Sequence, residues 1–240
     1  MRRFPEADQE ISQTIALAPD VAAYHRMLAM CRLLAGDTAG AAQTVRDAAK
    51  LLPHGLAFGG SPTVAPGLLA RVLGPSLPET ILTSSLKSFN GDSLGYYIVR
   101  MEYYSAIHDN VRLRAVADSA RRMLDSRIRA RKGSLQAEQV PLELFLALAD
   151  AFLGRTDETV RLVHESLQRV PVSRDGVAGP IVLSLSVEAL IRVGELDEAL
   201  GLIEQALAVP GPFSSALLRL DPLYAPLHGN PRFERLAATR

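Results

Sequence analysis

Few residues in this chain have the types and spacing that chemistry needs. The pair His164-Glu165, followed by Gln168, has the opening letters of a zinc-protease helix. Gln168 stands where a second imidazole would have to sit, one turn on, so the spacing yields no zinc pair. The five histidines, His25, His54, His108, His164 and His228, are too scattered for any two to have ligand spacing. Asp118 and Asp125 lie seven apart and could mimic paired carboxylates, but they sit among arginines and read as a salt-bridged helix surface. Gly59-Gly60-Ser61-Pro62 is too short to cradle a phosphate and has no Lys-Ser/Thr after it. Neither a nucleophile elbow nor a dinucleotide fingerprint occurs. The lone Cys31 has no partner for an internal disulfide and lies in the apolar run MLAMCRLLAG, where it reads as an inert core thiol. The expectation is a protein without catalytic residues, metal or cofactor.

The one charge asymmetry is the predicted helix from Arg112 to Lys132. It carries eight basic residues against Asp118 and Asp125. Arg114, Arg121, Arg122 and Arg129 form its candidate basic patch, a surface for nucleic acid or an acidic protein. The competing reading is an exposed helix whose arginines lay their stems on apolar neighbours. The arginines are spread around the helix and no aromatic interleaves them. Across the chain, 26 Lys and Arg balance 26 Asp and Glu, which removes any global argument for nucleic acid.

The positioning elements are helices. With 48% apolar residues, 5% aromatics and no Trp, the core must rest on Leu, Ala, Val and Ile. Ala22–Pro53 reads as a helix stopped by Gly36, an N-cap at Asp37, and a second helix striped by Ala41, Ala42, Val45, Ala48 and Ala49. Pro19 precedes Pro53 by one period, and the segment before it reads as a second helix lacking its partner. The grammar returns at Leu142–Pro171 around Gly154, and at Ile181–Pro212 around Gly194, with SRDGVAG as an inserted loop. A less regular pair spans Ser93–Ala106 and Val111–Arg131 around His108-Asp109-Asn110. At the C-terminus Asn230 is a good N-cap ahead of Pro231, and Phe233 and Leu236 can cover the open end of the last repeat.

Ala29, Gly36, Asp37, Ala41, Ala48 and Pro53 resemble a tetratricopeptide repeat, as do Ala147, Gly154, Arg155, Ser166 and Pro171, and Gly194, Ala199 and Ala206. No Trp opens a first helix, and Thr159 stands where the family has Ala. The ending LRLDPLYAPLHGNPRFERL is similar to the endings of tetratricopeptide regions that follow kinase, cyclase or winged-helix modules in bacterial signalling proteins. The resemblance implies an all-α superhelix, a solenoid of antiparallel helix pairs with a C-terminal capping helix. It divides the chain into a half-repeat plus one repeat over 1–53, a Gly/Pro-rich connector over 54–91, and further repeats and the cap over 92–240.

It also implies a concave groove, lined by first helices, for a peptide or protein. By alignment those positions are Arg26, Met30, Ile98, Glu102, Leu144, Leu148, Glu188 and Arg192. The family's Lys/Asn clamp for a C-terminal carboxylate is missing. The leading expectation is a non-catalytic protein-interaction scaffold, the docking or sensing part of a bacterial signalling system. The alternatives are a nucleic-acid- or transcription-associated protein using the basic helix, and a small-ligand sensor. A homodimer or an upstream domain would cover the N-terminal half-repeat. No apolar run is long enough to span a membrane and no signal peptide opens the chain, so a cytoplasmic location is expected.

Overall fold

The computed structural model describes residues 3–52, 65–73, 86, 93–130 and 136–238. All regular structure among them is helical. In chain order the helices are α1 (Phe4–Leu17), α2 (Ala22–Ala35), α3 (Thr38–Leu51), α4 (Ala65–Leu73), α5 (Ser93–Ala106), α6 (Asn110–Ala130), α7 (Gln136–Phe152), α8 (Thr156–Arg169), α9 (Ala178–Val193), α10 (Leu196–Ala208), α11 (Ser215–Leu220) and α12 (Pro231–Ala238). A 3-10 turn over Pro222–Leu227 precedes the last. The chain divides into two compact units, Met1–His108 and Asp109–Arg240. The division falls at the His108-Asp109-Asn110 turn. Most of 54–91 lies outside the described residues, as do Pro53 and the Arg131-Lys132 end of the predicted basic helix.

Three turns repeat one construction. Gly36, Gly154 and Gly194 sit in the left-handed region at φ 93°, 76° and 87°. In each, the glycine N–H bonds the carbonyl three back and the next residue's N–H bonds the carbonyl five back. The latter bonds are Asp37 to Arg32 at 2.8 Å, Arg155 to Asp150 at 2.9 Å and Glu195 to Leu190 at 3.0 Å. This is the Schellman closure of a helix end, and only glycine adopts it without a Cβ penalty. A Cβ added at Gly194 would meet no atom within 4 Å, so the strain of alanine there is purely conformational. Gly194→Ala is expected to lower stability by about 1–2 kcal/mol, read as a lower urea midpoint with unchanged slope.

Small residues follow each turn in the same register. Ala41, Thr159 and Ala199 come five after the glycine, and Ala48, Ser166 and Ala206 twelve after it; all six are buried. Thr159 keeps close packing despite its extra atoms because its hydroxyl donates to the Arg155 and Ala147 carbonyls, at 2.8 and 3.2 Å.

In the first unit α2 packs on α1 and α3, and α4 packs on α5. Asp37 caps α3, its carboxylate accepting the Gly40 N–H at 2.8 Å. Arg32 joins three helices: its Nε donates to Asp8 of α1 at 2.7 Å and its Nη1 to Thr44 of α3 at 2.7 Å. The hydrogen bond from Arg32 holds the Asp8 carboxyl below its ordinary range. A carboxyl lowered in the folded state contributes stability above its unfolded value, near pH 4, and loses that contribution as pH falls through the folded value. Asp8→Asn is therefore expected to destabilise the protein near neutrality and to flatten the acid limb of its stability profile below pH ~4. Urea titrations at stepped pH would check it.

In the second unit α7 packs on α6, α8 and α9, and α9 packs on α7, α8 and α10. Twelve residues of α9 are buried, so it is a core helix with almost no solvent face. Its start lies close under the chain before it: a Cβ on Gly179 would come within 2.5 Å of the Val172 backbone. Asp175 caps this start by accepting the Val177 and Ala178 N–H groups at 2.9 and 2.8 Å. The SRDGVAG insert is thus helical at its end.

At the C-terminus Ser214 caps α11 and Asp221 caps the 3-10 turn. Asn230 accepts from the Arg232 N–H at 2.9 Å ahead of α12. Phe213, Tyr224 and Phe233 are buried in one aromatic file, and Leu236 is half-buried. This segment packs on α9 and α10, as a cap over them.

Candidate functional site

The groove expected along the first helices is closed at most of its positions. In the first unit Arg26 and Ile98 are buried, and Met30 is half-buried. Glu102 is wholly buried and pairs with Arg71 of α4 at 3.1 Å, where a solvent-facing groove residue was expected. In the second unit Leu144 and Leu148 are buried because α7 has helices on three sides. Glu188 is buried beside Arg192, one turn on, at 3.1 Å. The Arg192 guanidinium also lies 4.1 Å from the centre of the Phe152 ring of α7. Arg26, Ile98, Glu102, Leu144, Leu148 and Glu188 are therefore interior residues. For Leu144, Leu148 and Glu188 the physical reason is composition: α7 and α9 are apolar nearly all round, so they sink into the unit.

The basic patch is also rearranged. Arg121 turns from the surface to Asp150 of α7, its Nε donating at 2.8 Å. Asp150 is buried, and Arg155 stands 3.7 Å from the same oxygen. Arg122 pairs with Asp118 and Arg129 with Asp125, each one helical turn apart. Arg112 pairs with Asp109. Arg114 is exposed. The patch read from sequence as an excess of arginine is, among the described residues, mostly a set of ion pairs. Asp118 and Asp125 do not face each other as an acid/base pair; each holds its own arginine.

His164 lies on the outer face of α8, where its Nε2 is 2.8 Å from the Glu198 carboxylate of α10. No local pattern signals that pairing, since it joins residues of two different hairpins. His164 lines an open cleft of about 460 Å³ together with Thr156, Asp157, Val160, Arg161, Glu165 and Gln168 of α8, and Glu195. Arg161 pairs with Glu165, one turn on along α8, at 2.8 Å. The lining offers charged and polar side-chain ends over a largely apolar floor of side-chain stems and Val160, a mixed surface for a partner. Cys31 is buried, and burial followed by the nearby Asp8 charge pushes its thiol up. The thiolate that nucleophilic or redox chemistry requires is thereby disfavoured. Among the described residues no helix is long and apolar enough to cross a membrane. The chain matches no family model, no curated protein and no solved structure.

Proposed function

We propose that this chain is a non-catalytic helical-repeat module that docks a protein partner, of the tetratricopeptide kind that its sequence resembles. The observation that carries the reading is the repeated register. Three glycine-closed turns are each followed by buried small residues at the same two offsets. Such hairpins hide their apolar faces by stacking on their neighbours and leave extended surfaces for recognition. The packing of α9 on α7, α8 and α10 supports the same reading. The resemblance of the C-terminal segment to regions of bacterial signalling proteins supports a docking or sensing role in such a system.

The partner surface in this proposal is the outer face of α8 with its cleft, because most of the first-helix positions are interior. The test is capture from source-cell extract with the wild type and with the charge-reversed double variant Arg161→Glu, Glu165→Arg. A protein retained by the wild type and lost from the variant supports the reading. Equal retention by both forms moves the surface elsewhere. Turnover of a metabolite by the purified chain would overturn the non-catalytic assignment.

A further inference from the structure

The outer face of α6 is patterned to pair with itself. Helix α6 buries Leu113, Ala117, Ala120 and Leu124 on one side. At about 100° per residue, Asp118, Arg122, Asp125 and Arg129 fall in a single stripe about 60° wide, well away from that buried side. Their side chains are 49%, 65%, 37% and 73% exposed. Read along the helix the stripe alternates acid, base, acid, base. Reversed in direction it alternates base, acid, base, acid. Two copies of α6 laid antiparallel about a two-fold axis near residues 123–124 therefore set Asp118 against Arg129 of the second copy, and Arg122 against Asp125 of the second copy. A parallel arrangement would set like charges opposite each other.

Beside the stripe run Ala115, Ser119, Ser126 and Ala130, all small, and their spacing is symmetric about nearly the same point. The Ser119 hydroxyl is already satisfied by the Ala115 carbonyl at 2.9 Å, so close approach does not strand it. Within one copy the Asp118–Arg122 and Asp125–Arg129 pairs are exposed contacts between neighbouring turns. Exposed pairs of this kind contribute only a few tenths of a kcal/mol, and an arginine fork can serve a carboxylate on each side. Little is lost when they are shared with a second helix.

We propose that α6 is an antiparallel homodimerisation face, whose occupant is α6 of a second copy of this chain. The contact is a closed two-fold one, with the same patch on both copies. Its contact area, one helix against one helix over about 31 Å, is at the small end for protein interfaces, so association is expected in the micromolar range. It is independent of the docking reading, which uses α8.

The test is sedimentation velocity of the full chain at about 100 µM, in low and in raised salt. The wild type is expected to dimerise at low salt, with a dissociation constant at least ~10-fold weaker near 0.5 M salt. Arg122→Asp with Arg129→Asp makes the stripe wholly acidic, and Asp118→Arg with Asp125→Arg makes it wholly basic. Each variant alone is expected to be monomeric, and their equimolar mixture to form the heterodimer. The fourfold swap of all these positions keeps the alternation and is expected to restore the homodimer. Circular dichroism on each variant confirms that the helices are retained. A wild type that stays monomeric at low salt overturns the proposal, as does dimerisation of either single-sign variant at wild-type strength.

Discussion

Replacing Glu102 with alanine is expected to destabilise the first unit by about 3–5 kcal/mol, one of the two largest effects of any single substitution anticipated in the chain. The Glu102 side chain is 0% exposed and the Arg71 side chain 8%, and they meet at 3.1 Å. Removing the carboxylate leaves a guanidinium in a medium that solvates charge poorly, which costs far more than an exposed pair contributes. Domains have only about 5–15 kcal/mol of stability in all, so a loss of this size threatens folding of the unit at 37 °C. The buried location also predicts the remedy. Arg71→Met combined with Glu102→Leu removes both charges and is expected to recover at least half of the loss, since an apolar pair often equals or exceeds a buried ion pair. Urea unfolding of the two single variants and the double gives the coupling directly. A Glu102→Ala loss below about 1 kcal/mol would show that the pair is not desolvated.

Glu102 also marks where the sequence could be read and where it could not. The helices were legible because their signals are local. A glycine at a left-handed turn, an aspartate one residue later and an alanine stripe at helical spacing each act within a few residues. Gly36, Asp37, Ala41 and Ala48 all stand in the roles that this local chemistry assigns. Which charged side chain meets which was not legible, because that depends on residues brought together from distant segments. Arg32 with Asp8, Arg71 with Glu102, and Arg121 with Asp150 all join different helices. Alignment to the repeat puts Glu102 and Glu188 at groove positions, but it carries no sign of the arginine that each meets inside the fold. The start of α7 was missed for a related reason. The repeat is read from Leu142, yet the helix begins at Gln136 and carries Pro141 in its second turn. A proline so near the start interrupts few hydrogen bonds.

Replacing Arg121 with alanine is expected to destabilise the second unit by about 2–4 kcal/mol near pH 7, and by clearly less near pH 4.5. The reason lies in Asp150, whose side chain is 2% exposed while that of Arg121 is 30% exposed. Burial raises the Asp150 carboxyl above its ordinary 3.8; the Arg121 hydrogen bond and charge, then the Arg155 charge, pull it back without cancelling the rise. The sign follows from linkage. A carboxyl raised in the folded state binds its proton more readily there than in the unfolded chain. Its contribution to stability therefore falls as pH rises from about 3.8 through the folded value, the reverse of Asp8. Without Arg121 the carboxyl keeps only Arg155, at 3.7 Å, and its folded value moves further up. At pH 7 the buried charge is then poorly compensated; near pH 4.5 protonation relieves it. Asp150→Asn removes the titration and keeps a polar group of the same shape, so its cost should vary little over the same range. Urea titrations of the wild type, Arg121→Ala and Asp150→Asn at the two pH values separate these cases. Equal Arg121→Ala losses at both would mean that the arginine holds α6 to α7 by packing its stem and not by neutralising Asp150.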